Sequence, residues 1–326
     1  MAGLLDAWLE AHARTWRPST LANRRKVAGV WAELIGHLEV ERLTPADVEL
    51  ALARLGERVK PSSAREYYDC LRRALRWARR RKLLSHDPTE GVPAPRRETR
   101  EVEPWTEEEA RRFLEHLEGA RERKAYRALF RLLLATGMRL GEAQALRWED
   151  VDFGRREVRV RRTYSQPGRC FHEPKTRKAR RGIPVDAVTL AWLREWRKEQ
   201  LEERLRAGER WADREGLVFT TEEGKPVPRS TVWYAFERLC RGAGVRRIRV
   251  HDLRHTHASL LLKRDVHPKV VQERLGHASV KTTLDTYSHL LPGVRERAVE
   301  AVEEALDRRI DRRLTAATGK PDGERV

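Results

Sequence analysis

The sequence has little cysteine and no long apolar segment, and both shortages exclude whole classes of protein. Its three cysteines, Cys70, Cys170 and Cys240, are far apart and form no C-x-x-C pair. Neither a disulfide framework nor a zinc site on paired cysteines is therefore indicated, and a reducing compartment suits the chain. No apolar run approaches the roughly 20 residues of a transmembrane helix, and the N-terminus lacks a basic export signal. We predict a cytoplasmic protein without a membrane partner.

Two common signatures of cofactor chemistry are also missing. The chain has no G-x-x-x-x-G-K-[ST] loop to hold a nucleotide and no carboxylate cluster suited to two Mg²⁺ ions. His251 and His255 have the spacing of zinc ligands on a helix, but the metalloprotease pattern requires Glu where this chain has Asp252. We expect no cofactor and no metal, with zinc at the two histidines as the alternative.

Positive charge, in contrast, is abundant. The 326 residues include 68 Lys and Arg against 50 Asp and Glu, which gives a formal net charge of +18. This excess is larger than solubility requires, so we expect a polyanionic partner, with nucleic acid the first choice. Because 40% of the residues are apolar, the chain can build more than one core, and its length favours two domains.

The first predicted domain, residues 1–90, repeats apolar side chains every three or four positions, as amphipathic helices do. Thr44 is placed to cap a helix that has Asp47 in its first turn, and Ser63 with Glu66 predicts a capping box for a fourth helix. That helix turns a row of arginines outward. A small all-α bundle follows from the pattern.

The predicted linker, residues 91–103, contains the extended, basic stretch Pro93-Ala94-Pro95-Arg96-Arg97. A basic linker between two basic domains can let them close on a polyanion as a clamp. The alternative is a solvated hinge with no role in binding.

The second predicted domain, residues 104–314, starts with a capping box of Thr106 and Glu109, and Gly137 ends its second helix. The apolar period then changes to two in residues that predict a small antiparallel sheet: Val158, Val160, Ile183 and Val185. A further short strand is predicted at Val218-Phe219. The predicted fold class is therefore mainly α (α+β), with a disordered tail at residues 315–326.

Four stretches of this domain carry chemical groups in an ordered series. They are T-G-M-R-L-G-E at 136–142, E-P-K-T-R-K-A-R-R-G-I-P-V at 173–185, H-D-L-R-H at 251–255, and L-G-H-A-S with T-L-D-T-Y-S-H at 275–289. Each is weak alone, but together they resemble the tyrosine recombinase (phage integrase) family. The resemblance implies these site residues: Arg139, Lys175, His251, Arg254, His277 and Tyr287 as catalytic, and Glu142 in support. It also implies a core-binding, SAM-like fold for the N-terminal bundle.

The implied roles obey elementary phosphate chemistry. A phosphodiester attacked by a phenolate gains charge on its non-bridging oxygens, to which the guanidiniums of Arg139 and Arg254 can donate paired hydrogen bonds. Tyrosine ionises near pH 10, so a base must assist the attack, and His251 is the candidate. Lys175 on the basic hairpin would protonate the leaving 5′ oxygen, while His277 would orient the phosphate.

Simpler explanations exist for the individual residues. An arginine such as Arg139 is more often a solvated surface residue than a catalyst, and only the joint pattern reverses that expectation. Lys175 has the alternative role of a phosphate contact, with Lys178 as the fallback acid. His255 and His257 are predicted to be structural.

The predicted function is site-specific DNA recombination on duplex DNA through a 3′-phosphotyrosine intermediate, with integrase-like use favoured. Two alternatives are a type IB topoisomerase-like enzyme, which shares the chemistry without strand exchange, and a DNA-binding regulator without catalysis.

The last segment, residues 294–314, predicts a helix with an apolar stripe formed by Val294, Ala298, Val302, Leu306 and Ile310. The resemblance implies an exchange helix that docks on a neighbouring protomer in a homo-tetramer on synapsed DNA. Packing on the same subunit is the alternative.

Overall fold

The computed structural model describes residues 1–96, 103–166, 168–173, 180–287 and 299–306. Two compact units are present. The N-terminal unit comprises Met1–Glu103 with Tyr164–His172, and the C-terminal unit comprises Pro104–Thr163 with Glu173–Val326. Helices dominate both units and small antiparallel sheets complete them, which confirms the predicted fold class. No helix within the described residues is long and apolar enough to cross a membrane.

The N-terminal unit is built on four helices, α1 (Ala2–His12), α2 (Pro18–Ile35), α3 (Pro45–Arg58) and α4 (Pro61–Arg80). Their apolar faces enclose a core in which Trp8, Trp31 and Tyr68 are the largest buried side chains. The indole of Trp31 donates a hydrogen bond to the carbonyl of Tyr67 (3.0 Å), so the polar group of this buried ring is satisfied. Strands β3 (Thr163–Ser165) and β4 (Cys170–His172) form a separate two-stranded sheet.

Of the two capping boxes predicted in this unit, one is correct and one is wrong. Thr44 caps α3 in a reciprocal box with Asp47, as predicted. The box predicted at Ser63 and Glu66 is wrong, because α4 begins at Pro61, where the fixed proline φ suits the first helical position. Glu66 instead accepts a hydrogen bond from Asn23 (2.9 Å).

The chain after α4 packs on the same unit for several residues. Val92 is buried in the N-terminal core, and its carbonyl accepts a hydrogen bond from the hydroxyl of Tyr68 (3.1 Å). Arg65 donates to the carbonyl of Pro95 (3.2 Å). Residues 97–102 lie outside the described residues, so the linker at 91–103 and the predicted domain boundaries remain a proposal.

The C-terminal unit begins with α5 (Glu107–Gly119) and α6 (Lys124–Thr136). Thr106 and Glu109 form the predicted capping box, and Gly137 ends α6 in the left-handed conformation, with φ +65°. Further helices of the unit are α7 (Leu140–Gln144), α8 (Ala187–Ala207), α9 (Arg229–Gly242), α10 (Asp252–Lys263), α11 (Pro268–Leu275) and α12 (Val280–Tyr287).

A three-stranded antiparallel sheet lies in this unit, in the order β1 (Val151–Asp152), β2 (Glu157–Val160) and β5 (Arg181–Pro184). Val158 pairs with Ile183, and both are buried, which confirms the predicted pairing of the two alternating segments. The strand predicted at Val218-Phe219 is wrong. These two residues are buried, but the described chain pairs only at their flanks, through isolated bridges between Arg147 and Leu217 and between Thr220 and Pro226.

Candidate active site

Gly137 forms the turn on which the site is built. A side chain at this position would collide with His257 and Leu275, because a Cβ added to the glycine would lie 2.7 Å from an atom of each. Its positive φ also favours glycine. The turn brings the Gly137 carbonyl against α10, where it accepts a hydrogen bond from Arg254 (2.7 Å).

Arg254 is held by main-chain carbonyls. Its two terminal nitrogens donate to Gly137 (2.7 Å) and to Leu275 at the end of α11 (2.6 Å), and the residue is 3% exposed. Burial lowers the pKa of Arg254 to about 9, and the positive charges of Arg139 and Arg181 add to this effect. The guanidinium therefore stays charged at neutral pH, and a bound anion would stabilise its buried charge.

A second pair of arginines meets at one buried carboxylate. Glu142 accepts hydrogen bonds from Arg139 (2.8 Å) and from Arg181 (2.9 Å). Burial alone would raise the pKa of Glu142, but Arg181 and then Arg139 outweigh it and keep the pKa below its ordinary value. Glu142 is therefore ionised and fixes both guanidiniums.

The charges of this cluster do not cancel. Among the contacts described, three guanidiniums, those of Arg139, Arg181 and Arg254, are matched by the single carboxylate of Glu142. Because Arg139 remains 39% exposed along its side chain, the cluster is open to an incoming ligand. Such an excess of fixed donors suits a phosphate.

Tyr287 lies at the end of α12 and is 2% exposed. Its hydroxyl forms a hydrogen bond with Nδ1 of His255 (2.8 Å), and the two ring centroids are 5.6 Å apart. Burial raises the pKa of Tyr287 to about 12, although the charge of Arg254 opposes the rise. The phenol is therefore protonated at neutral pH in this arrangement.

His251 and His277 also face the arginines. Desolvation by the surrounding protein lowers the pKa of each to about 4. His255 and Arg254 contribute further at His251, and Arg254 and Arg139 at His277. The ring of His251 stands edge-on to that of His255 at 5.3 Å, and His277 is hydrogen-bonded to Thr283 (2.9 Å). Both imidazoles are neutral at pH 7.

His257 joins three helices beneath the site. Its Nδ1 bonds to the carbonyl of Leu134 (2.9 Å), and its Nε2 accepts from Arg274 (3.0 Å), so the imidazole carries its proton on Nδ1. Burial, reinforced by the charge of Arg274, lowers the pKa of His257 to about 3. This arrangement agrees with the structural role predicted for His257.

Several predicted features fall outside the described residues. These are Lys175 and its fallback Lys178, most of the helix at 294–314, and the tail at 315–326. Residues 299–306 are described and helical, and their exposed side chains include Val302 and Leu306. No group of three or more His, Cys, Asp or Glu side chains suited to a metal is found where the structure describes the chain.

The sequence did not predict that Arg181 and His255 belong to the site. Arg181 stood among many basic neighbours, and nothing in the sequence distinguished it as a partner of Glu142. His255 was predicted to be structural, but it bonds to the hydroxyl of Tyr287. Its position four residues after His251, on the same face of a helix, was the available signal.

Comparison with known proteins defines the class of this chain. Residues 104–293 match the phage integrase family, and residues 2–93 match the phage integrase central domain. The chain therefore belongs to the phage integrase family of tyrosine recombinases.

Among individual relatives, the chain is 34% identical to a "Tyrosine recombinase XerC-like" protein of Caldanaerobacter subterraneus, over 66% of this chain and 57% of that protein. It is 26% identical to the ICEBs1 integrase of Bacillus subtilis, over 69% of this chain and 60% of that one. The chain thus spans less than two thirds of the length of both relatives.

A solved structure of the Tn1549 transposon integrase in complex with a circular intermediate DNA has a similar fold. The TM-score is 0.77 at 19% identity, with 92% of this chain and 98% of that one covered.

Proposed function

We propose that this protein is a site-specific DNA recombinase that cleaves and rejoins duplex DNA through a 3′-phosphotyrosine intermediate. The observation that carries the proposal is the placement of the Tyr287 hydroxyl on His255, the residue next to Arg254 in a cluster with excess positive charge. The similarity to a tyrosine recombinase and to an integrase supports it. Integrase-like use and a cytoplasmic location are parts of the proposal.

The chemistry follows from the cluster. The guanidiniums of Arg139 and Arg254 donate to the non-bridging oxygens, where charge develops as Tyr287 attacks phosphorus. His277 orients the phosphate, and Lys175 is proposed to protonate the leaving 5′ oxygen. The phosphotyrosine ester keeps the energy of the broken bond, so a second 5′ hydroxyl can reseal the strand without ATP.

Replacing Tyr287 with Phe tests the proposal directly. We expect normal DNA affinity and no covalent protein–DNA adduct on a nicked suicide substrate, because only the nucleophilic oxygen is lost. Tyr234→Phe, at an exposed position of α9, serves as the matched control and should form the adduct. An adduct that persists in the Tyr287 variant would assign the nucleophile to another residue.

Two further measurements separate the alternatives. Two marked duplexes that are cut but never exchange strands would favour a topoisomerase-like enzyme. Labelled DNA that binds without any adduct to the wild-type protein would favour a regulator.

The tetramer on synapsed DNA is also proposed. Val299, Val302 and Leu306 are each 57% exposed on the helix at residues 299–306, which leaves apolar side chains in water within one protomer. Docking of this helix on the next protomer would cover them. A cyclic head-to-tail contact of this kind links each site to its neighbour.

Deletion of the residues after Gly293 should therefore preserve folding and DNA binding but abolish the tetramer and strand exchange. Light scattering of the DNA complexes gives the mass, and a Val302→Ser, Leu306→Ser double variant provides a milder version of the change. A truncated protein that still assembles and recombines would assign the helix to its own subunit.

A further inference from the structure

We propose that Arg181 is a positioning residue of the reaction, which neutralises Glu142 so that the charge of Arg139 remains available to the scissile phosphate. This inference rests on the proposed function and adds a residue to the same site. Arg181 acts through the groups that it holds and not by contact with the DNA.

Arg181 occupies a strand position that belongs to the core. β5 pairs with β2 so that Arg181 lies opposite the buried Val160, and Ile183, two residues later on the same face, is also buried. The side chain of Arg181 is only 7% exposed. Burial of a guanidinium is costly unless its donors are satisfied, so the partners of this arginine indicate what it does.

The three donor nitrogens of Arg181 reach two different parts of the site. Its terminal nitrogens donate to the carboxylate of Glu142 (2.9 and 3.3 Å), in the paired arrangement that a planar guanidinium and a carboxylate form best. Its Nε donates to the carbonyl of Arg274 near the end of α11 (2.6 Å). Arg181 therefore ties β5 both to α7 and to the end of α11.

Gly276 leaves the space that the guanidinium of Arg181 fills. A Cβ added at Gly276 would lie 2.8 Å from a terminal nitrogen of Arg181, and the φ of +66° also favours glycine. On one side of Gly276 is Leu275, whose carbonyl accepts from Arg254, and on the other is His277. The packing of Arg181 on this glycine therefore holds the backbone that places two other groups of the site.

The charge balance of the cluster depends on Arg181. Among the contacts described, three guanidiniums exceed the single carboxylate of Glu142 by two charges. A phosphodiester carries one negative charge, and the attacking tyrosine oxygen brings a second as its proton leaves. Without Arg181, Glu142 would pair with Arg139 alone and would cancel most of its charge. The positive excess would then be too small to match the transition state.

The contacts of Glu142 agree with this division of roles. Burial alone would raise the pKa of Glu142, and Arg181 opposes that rise more strongly than Arg139 does. The ionised carboxylate also accepts from the Arg139 side chain (2.8 Å) and from its main-chain N–H (3.0 Å). Glu142 therefore orients Arg139, while Arg181 supplies most of the charge that stabilises Glu142.

Replacing Arg181 with Met tests the role. Methionine keeps a buried apolar stem but removes the charge and every donor. We expect adduct formation on a suicide substrate, measured at saturating DNA, to fall ~10- to 100-fold with unchanged DNA affinity. Arg159→Met is the matched control, because Arg159 forms ion pairs with Asp152 (3.2 Å) and Glu157 (3.0 Å) on the other face of the same sheet. The control should cleave at the wild-type rate.

A second substitution separates charge balance from packing. Glu142→Gln in the Arg181→Met background removes the unbalanced carboxylate, while the amide oxygen of the new side chain can still accept from Arg139. The double variant should therefore cleave about tenfold faster than Arg181→Met alone. A double variant that is as slow as Arg181→Met, or slower, would assign Arg181 to packing and overturn the proposal.

A change in the substrate gives a readout that packing would not move. In a methylphosphonate, a methyl group replaces one charged non-bridging oxygen, so the transition state carries one negative charge fewer. The ratio of the wild-type rate to the Arg181→Met rate should then shrink by about threefold or more, because less positive charge is needed. An equal ratio on the ordinary and the neutral substrate would contradict the proposal.

Urea unfolding shows whether each variant is folded at the assay temperature. If Arg181→Met alone does not fold, the double variant is compared with Glu142→Gln, which has no carboxylate for Arg181 to neutralise. Removal of Arg181 should then cost less than about tenfold in rate. A loss of about tenfold or more in that comparison would reject the charge-balancing role.

Failure of this inference is distinguishable from failure of the proposed function. A wild-type protein that forms an adduct lost in Tyr287→Phe supports the function, even if Arg181→Met is fully active, which would overturn only the role of Arg181. A wild-type protein that forms no adduct overturns both.

Discussion

The arginines of α4 and those of the candidate site show two opposite uses of one residue type. On α4, Arg73, Arg76, Arg79 and Arg80 are exposed along the outer face of a helix. In the C-terminal unit, Arg254 is buried against two carbonyls and Arg181 is buried against Glu142. Water solvates the first group, whereas protein groups fix the second.

Exposed and buried arginines contribute equally to the net charge of +18 but differ in how they can bind an anion. Exposed arginines keep their hydration and can meet any polyanion, so they bind in a salt-dependent and sequence-tolerant manner. A buried arginine has lost its water, and the pKa of Arg254 falls to about 9 as a result. Such a group is maintained at a cost in stability and gains most from one fixed anion.

We expect the largest effect from removing the buried guanidinium of Arg254. Arg254→Ala should lower the rate of adduct formation by ~1,000-fold or more, because one donor to the developing charge is lost. The variant also leaves the carbonyls of Gly137 and Leu275 without their charged donor, which should destabilise the protein by about 2 kcal/mol or more. Single-turnover cleavage and urea unfolding measure the two effects.

Arg254→Lys is the control that retains the charge. All three N–H donors of a lysine lie on one nitrogen, so they cannot match the spaced donors with which the planar guanidinium reaches both carbonyls and still faces a phosphate. We expect it to recover stability in part and cleavage very little. Full cleavage activity in Arg254→Lys would show that charge alone matters at this position.

A smaller effect concerns the pH dependence of stability at His257. Its folded pKa is about 3 and its ordinary value is 6.5, so the unfolded chain binds more protons between these pH values. The stability of the protein should therefore fall as pH drops below 6.5. The contribution of His257 by pH 4 is on the order of 3 kcal/mol, at about 1.4 kcal/mol per pKa unit.

Comparing His257→Asn with the wild type tests how much of the acid-induced loss of stability comes from His257. The Asn amide can still donate to the carbonyl of Leu134 but does not titrate, so the variant should be less stable at pH 7.5 and lose less stability on acidification. His37→Asn, at an exposed position, should follow the wild-type profile. Urea midpoints between pH 7.5 and 4.5 provide the comparison, and parallel curves for wild type and His257→Asn would exclude the effect.

The sequence predicted those parts of the fold that depend on neighbouring residues. The capping box of Thr106 and Glu109 and the turn at Gly137 are local, and the pairing of Val158 with Ile183 follows from alternating burial. The capping box at Ser63 failed because a proline two residues earlier already starts the helix.

The candidate site was harder to predict because its decisive contacts join distant residues. Tyr287 and His255 are 32 positions apart, and Arg181 and Glu142 are 39 apart. Motif order predicted the tyrosine and two of the arginines, but which histidine Tyr287 contacts depends on how α12 packs against α10. Helical spacing alone gives His251 and His255 nearly equivalent positions on one face.

We expect the smallest effect from the exposed arginines of α4. Arg73→Gln and Arg76→Gln on α4 should each weaken DNA binding a few-fold, because a solvated arginine contributes mainly through the release of counterions from the phosphates. The slope of log affinity against log salt should decrease by about one for each arginine removed, and about equally for specific and unrelated DNA. Titrations from 50 to 300 mM salt measure both quantities. Arg206→Gln, on the exposed face of α8, is the matched control and should leave the slope as it is. If the α4 variants instead lost the preference for one DNA sequence, these arginines would contact base edges. Exposed arginines would then contribute to specific binding, and exposure alone would not separate general from specific DNA contacts.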